Sequence, residues 1–144
     1  MYEVAELFAR MPCQTRVWVA QPVTDALAKR GRKHQREVAI LMARLRRYAQ
    51  NGFALYEGNA KPIRPEPDGV YRIGHPDDLF RIIGFYDHDS RADFVAIDSF
   101  EKRGHALSSS DQTRIANVAR VRKRGLWKRN ADYANYPRLA QTPG

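Results

Sequence analysis

Three strand-like runs in the middle of the chain constrain its fold more than any other feature of the sequence. They read VYRIGH, LFRIIGFYD and DFVAIDSF, lie between residues 70 and 100, and are rich in β-branched and aromatic residues. The joins PDD and HDSRA consist largely of turn-forming residues, and joins this short connect antiparallel neighbours. The last two runs are almost entirely apolar, which is typical of central strands that helices cover on at least one face. The sequence therefore predicts a three-stranded antiparallel meander.

Helical patterns and one further strand precede the meander. TRVWVAQPV, residues 15–23, has the composition of a strand, and Thr24 is a suitable cap for a helix that Gly31 interrupts. Apolar residues recur at helical spacing from about His34 to Gln50, which predicts a long amphipathic helix. The same spacing from Val4 to Met11 predicts a short helix at the start of the chain.

The remaining segments are one helix and two irregular stretches. Ser109 and Gln112 have the spacing of a capping box, which predicts a helix over 109–124 that Gly125 ends. Residues 57–69 hold three prolines and three acids, which predicts a loop. The tail, residues 125–144, has little apolar periodicity and is predicted to be extended or partly disordered.

Together these elements predict one α+β domain over residues 1–144, with its core at about 15–124. The expected architecture is a small antiparallel sheet, made of the N-terminal strand and the meander. Two N-terminal helices and one C-terminal helix pack on this sheet. A chain of 144 residues is long enough to bury a core of its own.

The charge of the chain is strongly positive and unevenly spread. Lys and Arg number 25 against 16 Asp and Glu, for a net charge of +9. Residues 29–47 carry eight bases and one acid, and residues 114–129 carry seven bases and no acid. Such patches attract polyanions by Coulomb interaction and counterion release. A solvated helix face, or a surface that an acidic protein covers, would have the same composition.

Several classes of protein lack their sequence signals here. There is no apolar run long enough to cross a bilayer and no basic segment typical of a secretory signal, so we expect no membrane association. The lone Cys13 cannot form an internal disulfide, which favours a reducing, cytoplasmic location. No spacing of His, Cys and Asp resembles a metal site, and no phosphate-binding glycine loop or nucleophile elbow occurs. We therefore expect neither a metal nor another cofactor.

Short motifs on the three meander strands give the chain a family resemblance. The motifs are an aromatic–Arg pair, an aromatic–Arg–apolar run, and a strand end with two bases, seen here as Tyr71-Arg72, Phe80-Arg81-Ile82-Ile83 and Phe100-Glu101-Lys102-Arg103. With the helix from Ser109, residues 15 to 124 resemble the RelE/HigB superfamily of bacterial and phage type II toxins, particularly its phage-derived HigB-like branch. The chain departs from that branch at Val70, where an acid is common, at Arg103, where a second Lys is usual, and in lacking a later proline.

The resemblance implies a RelE-like fold and a ribosome-dependent mRNA endoribonuclease, or mRNA interferase, of a toxin–antitoxin system. In such enzymes the ribose 2′-OH attacks its own 3′ phosphate without a metal. The reaction needs a base, cations for the phosphorane and an acid for the leaving oxygen. The implied partners are mRNA on the ribosome and a cognate antitoxin, expected to be acidic, with a helix-turn-helix protein as one candidate.

Nine basic side chains are the candidate site residues. Arginine presents a planar fork to phosphate oxygens, while a lysine among other cations, or a histidine, can transfer a proton near neutral pH. The candidates for catalysis are Arg72, Arg81, Lys102, Arg103 and His105, and those for RNA binding are Lys61, Arg64, Arg120 and Lys123.

Other interpretations stay open at this point. The arginines of the strands would be structural if they paired with Asp98 or Glu101, the strand-end bases could be solvated, and His105 could be an ordinary loop residue. The whole chain could be a ParE-like toxin that binds DNA gyrase, or a catalytically inactive phage-derived module that binds RNA or protein. Converging cations would favour RNA cleavage over gyrase binding.

Overall fold

The computed structural model describes residues 1–75 and 78–130 as an α+β arrangement. Two short 3-10 turns, Phe53–Tyr56 and Pro67–Gly69, accompany the main elements. In chain order the main elements are β1 Tyr2–Glu6, β2 Arg16–Ala20, α1 Gln21–Lys33, α2 Gln35–Asn51, β3 Ile63–Pro65, β4 Tyr71–Ile73, β5 Phe80–Tyr86, β6 Asp93–Glu101, α3 Ser109–Arg124 and β7 Trp127–Arg129.

The described strands form one mixed sheet in the order β3-β4-β5-β6-β2-β1-β7. The predicted meander β4-β5-β6 is antiparallel throughout and lies next to the N-terminal strand β2, as part of the larger sheet. However, β2 runs parallel to β6, and β1 runs parallel to β7, so the prediction of a small, purely antiparallel sheet was wrong. Parallel neighbours need a long crossover connection, and between β2 and the meander α1 and α2 provide much of it.

The predicted helix over residues 4–11 was also wrong, because this segment contains the strand β1 followed by a turn. Its apolar residues have helical spacing but do not share one face. Val4 packs in the core beneath α3, whereas Leu7 and Phe8 pack in the core beneath α1 and α2. A strand that ends in a turn can therefore imitate the spacing of a helix.

Two segments predicted to be irregular contribute edge strands. β3 lies within the proline-rich stretch 57–69, and an edge position allows Pro65 to close a strand without donating a hydrogen bond. β7 lies at the start of the predicted tail, directly after Gly125 ends α3 in a left-handed conformation. The rest of the tail, residues 131–144, lies outside the described residues.

The three helices have the predicted order, with small shifts at their ends. α1 begins at Gln21, where Pro22 suits the first turn, rather than at Thr24, and Gly31 lies inside it. At α3 the cap is Ser108, whose hydroxyl accepts a hydrogen bond from the Asp111 backbone N–H at 3.1 Å.

The sheet separates two hydrophobic cores. α1 and α2 pack on one face, with Leu27, Met42 and Leu45 among their buried side chains. α3 packs on the other face through Ile115, Val118 and Val121. The central strands β5 and β6 are thus covered on both faces, which accounts for their nearly continuous apolar sequences.

A β-bulge interrupts the pairing of the two central strands. Ile83 pairs with Asp98, but the next residue, Gly84, pairs with Ala96, so Ile97 is an extra residue on β6. A side chain at Gly84 would place its Cβ 2.9 Å from the Cα of Ala96, so only glycine fits at this close approach. The extra residue reverses which side chains of β6 face α3 beyond this point.

Candidate functional site

Four cations lie on three neighbouring strands and directly after a fourth, on the face of the sheet that α3 covers. Arg64 of β3 pairs directly with Arg72 of β4, and Arg72 is paired with Ile83, two residues along β5 from Arg81. Arg81 in turn is paired with Phe100 of β6, and Lys102 follows Phe100 by two residues. Ile83 and Phe100 belong to the core beneath α3, and alternation puts all four cations on that face. We call Arg64, Arg72, Arg81 and Lys102 the cation row.

Arg81 lies at the floor of the row. Its side chain crosses Gly74, where a Cβ atom would come within 2.8 Å of the guanidinium Nη1. The guanidinium donates to the backbone carbonyls of Phe80, at 3.0 Å, and of Asp78. Burial lowers the pKa of Arg81, and the nearby charge of Arg72 lowers it further. The residue is only 8 % exposed, so local backbone and the absence of a side chain at position 74 fix its position.

Arg72 is also buried, and it has an acidic partner that the sequence analysis missed. Its Nε lies 3.7 Å from a carboxylate oxygen of Glu66. The turn Pro67–Gly69 folds β3 back on β4, and the Glu66 backbone N–H donates to the Val70 carbonyl at 2.8 Å. Glu66 was hidden because residues 57–69 were read as a loop, although pairing of Arg64 with Arg72 places it at the row.

Lys102 is a half-buried amine among like charges. Burial lowers its pKa, the charges of Arg72, Arg81 and Arg64 lower it further, and Glu66 has a smaller opposite effect. Its backbone N–H donates to the Leu79 carbonyl at 2.7 Å, which fixes the start of the side chain. Within residues 1–75 and 78–130 its amine forms no ion pair. Such an amine gives up its proton more readily than an ordinary lysine.

The two carboxylates that could have made the row purely structural bind other residues. Asp98 forms an ion pair with Arg114 of α3 at 3.1 Å. Glu101 pairs with Arg30 of α1 and, at 2.8 Å, with Arg103. Neither forms an ion pair with Arg81 in the described part of the chain; Glu66 offsets the charge of Arg72, and the charge of Asp78 acts on Arg81.

The structure places the other candidates on the surrounding surface. Arg103 points away from the row toward Glu101 and is 80 % exposed in its side chain. His105 is exposed between β6 and α3 and, among described residues, makes no hydrogen bond or ion pair. Lys61 is exposed beside Arg64, whose Nε donates to its carbonyl at 3.3 Å. Arg120 and Lys123 are exposed on α3. The row therefore gains Glu66, while Arg103 and His105 are not placed in it.

The row has the chemistry of an anion site with a proton donor and a proton acceptor. Two buried guanidinium groups can bind phosphate oxygens at the floor, and Arg64 and Lys102 add charge at the more exposed rim. Among the residues described, no group of His, Cys, Asp and Glu is arranged to hold a metal ion. No helix of the described residues has the length and apolar character to span a bilayer.

Comparisons with known proteins add no relative to this description. The resemblance of residues 15–124 to RelE/HigB toxins rests on the short strand motifs alone. No protein-family model, no curated protein and no solved structure matches the chain.

Proposed function

We propose that the cation row is the phosphate-binding site of an endoribonuclease, the toxin of a toxin–antitoxin system that cuts mRNA on the ribosome. The observation that carries this proposal is the convergence of Arg64, Arg72, Arg81 and Lys102 on one face, with Glu66 as their acidic neighbour. Buried arginines without a full complement of acids are costly to maintain, and a bound phosphate would offset that cost.

The proposed reaction has two proton transfers, one from the attacking 2′-oxygen and one to the leaving 5′-oxygen. The 2′-oxygen forms a new bond to phosphorus while its proton passes to the Glu66 carboxylate. The bond from phosphorus to the 5′-oxygen breaks, and that oxygen takes a proton from the Lys102 ammonium. Arg72 and Arg81 bind the non-bridging oxygens as negative charge develops. The products are a 2′,3′-cyclic phosphate and a 5′-hydroxyl end.

The lowered pKa of Lys102 supports its assignment as the acid. An acid whose pKa lies closer to the working pH donates more effectively. Glu66 is assigned as the base because of its position. It forms an ion pair with Arg72, and its charge also acts on the pKa of Lys102. The proposal assigns no proton transfer to His105, which is exposed, and no phosphate contact to Arg103, which pairs with Glu101.

Induction of the chain in bacteria, followed by primer extension on cellular mRNA, tests the proposal. We expect growth arrest and new 5′ ends that disappear when translation is blocked beforehand. Purified protein acting on translating ribosomes should leave 2′,3′-cyclic phosphate ends. Intact mRNA together with trapped gyrase–DNA complexes would instead identify a ParE-like toxin.

One observation favours a second candidate, a catalytically inactive module that binds RNA. Arg72 and Arg81 are each 8 % exposed, which also suits arginines that hold β3, β4 and β5 together. Binding of RNA without any cleavage, by a protein harmless to cells, would support that function over the nuclease.

A further inference from the structure

A second basic surface lies at the junction of α1 and α2, in the helical layer opposite α3. Residues 29–36 contain five Lys and Arg residues, and the four besides Arg30 are Lys29, Arg32, Lys33 and Arg36. All four are exposed, and among the described residues none of them forms an ion pair or side-chain hydrogen bond. No acid occurs within this segment. We call these four residues the α1–α2 corner.

Arg30 connects the corner to the end of β6. It is largely buried, forms an ion pair with Glu37 of α2 at 3.0 Å, and forms a second one with Glu101. Glu101 also pairs with Arg103 and directly precedes Lys102 of the cation row. Two arginines thus neutralise the carboxylate that stands between the row and the corner, so no free negative charge separates the two surfaces at this point.

The end of β6 connects the row to the corner. The members of the row lie on β3, β4, β5 and the end of β6, which are consecutive in the sheet. Three steps between neighbouring strands span about 14 Å, the width of only a few nucleotides. The next strand beyond β6 is β2, whereas α1 packs against β6 on the face opposite the row and ends in the corner. A strand of RNA that crosses the row would meet the corner by passing around the end of β6, where Glu101 pairs with Arg30 of α1.

The chemistry of the corner fits a polyanion better than a folded protein partner. Protein interfaces have a core with apolar side chains, whereas polyanion binding depends on charge. The exposed large apolar residues of the described chain, Met1, Ile40, Leu55 and Leu79, all lie outside residues 29–36. Exposed, unpaired cations close together are what the phosphates of a flexible strand require.

We propose that the α1–α2 corner binds the phosphates of the RNA segment that flanks the cation row. This inference rests on the proposed function, because it takes the row as the place where RNA is held. It extends the RNA path to a surface on the helical layer opposite α3, away from Arg120 and Lys123.

Fluorescence anisotropy with RNA that cannot be cleaved tests the corner separately from catalysis. Fully 2′-O-methylated oligonucleotides of about four and about twelve nucleotides would be used, the shorter just spanning the row. The test variant is the double substitution Arg32→Gln and Lys33→Gln. The control variant is Arg10→Gln and Arg47→Gln, which removes the same charge from exposed positions, with Arg47 about 16 Å from Arg36 along α2.

The corner variant is expected to bind the longer RNA about 25-fold more weakly at 0.1 M salt, since each single-strand phosphate contact contributes a salt exponent of about 0.7. Its salt slope should fall by about 1.4, while binding of the shorter RNA stays near wild type. The control variant should retain most of its affinity for both. Thermal melting of all variants checks that each remains folded.

Equal losses in the corner and control variants, or equal losses for short and long RNA, would overturn the inference. So would a corner variant that keeps its RNA affinity and loses only a co-purified acidic protein, because the corner would then belong to that partner. Absence of mRNA cleavage in cells, with corner-dependent binding of the long RNA intact, would remove the nuclease proposal and leave this one standing.

Discussion

Gly74→Ala tests the position of Arg81 without removing any charged group. A Cβ at residue 74 would lie 2.8 Å from Nη1 and 2.9 Å from Nε of Arg81. Ordinary contacts begin near 3.4 Å, so the guanidinium would have to move by at least 0.6 Å. The backbone at Gly74 is not among the positive-φ positions, so alanine causes no strain of its own there.

A displacement of this size should be visible in catalysis. A misplacement of about 1 Å can cost about a hundredfold in rate, so we expect Gly74→Ala to lower the cleavage rate by tenfold or more. Crowding a packed position is also expected to lower the free energy of unfolding by about 1–3 kcal/mol. The rate of cleavage of ribosome-bound mRNA and the free energy of unfolding in urea are the two measurements.

Gly31→Ala is the matched control, because it adds the same methyl group where there is room. A Cβ at Gly31, inside α1, would meet only Val38 side-chain atoms at 3.8 Å or more. This variant should keep full activity and gain about 0.5–1 kcal/mol, since alanine is the better helix former. Full activity in Gly74→Ala, at a stability equal to wild type, would refute the placement of Arg81 in the site.

Four further substitutions separate the roles of individual side chains. Arg81→Ala should lower the cleavage rate by about 10²–10³-fold, the cost of one transition-state donor, with the far-UV CD spectrum unchanged; a folded, fully toxic variant would exclude this residue from catalysis. Lys102→Met should lower the rate by about 10²–10⁴-fold and remove the fall in activity at alkaline pH, which begins below the range of an ordinary lysine because the pKa of Lys102 is lowered. Arg103→Met, next to it but on the other face, should leave the pH–rate profile unchanged, and identical profiles for both variants would contradict the assignment. Tyr86→Phe removes a buried hydroxyl that has no hydrogen-bond partner among the described residues, so unfolding in urea should show equal or up to about 1 kcal/mol higher stability. A loss of more than about 1 kcal/mol would reveal a hydrogen bond to Glu57, whose charge, after burial, raises the pKa of Tyr86.

The sequence predicted the elements whose periodicity is long enough to recognise. β2, the meander, α2 and α3 each have several residues that alternate or recur at one spacing, and burial on one or two faces produces that pattern. β3, β4 and β7 have three residues each, too few to show a period, and β4 was predicted because a short turn joins it to two longer apolar runs. Pairing across the sheet, rather than local preference, determines that these short segments are strands.

The sequence suggested the cations of the candidate site, but it did not suggest the acidic residue Glu66 or the face of the sheet on which each residue lies. Arg72, Arg81 and Lys102 were chosen as candidates from the motifs of the meander, because the apolar runs around them are recognisable in the sequence. Glu66 lies near them because the turn Pro67–Gly69 folds the chain back, and no local sequence pattern shows the direction of that fold. Arg103 pairs with Glu101 rather than lying in the row, because successive residues alternate between faces and the bulge decides which of them faces Arg81.

The bulge on β6 determines which charged residues at the end of the strand lie on the side of Arg81. In an unbroken ladder the residues in phase with Val95 and Ile97 would be Ser99, Glu101 and Arg103, which would bring a carboxylate to the side of Arg81. With Ile97 as an extra residue, Glu101 instead turns to Arg30. Deleting that one residue would change no charged side chain and no net charge. It would nevertheless place a carboxylate beside Arg81 on the face of the cation row, so this strand could tolerate many substitutions more easily than a shift in length by one.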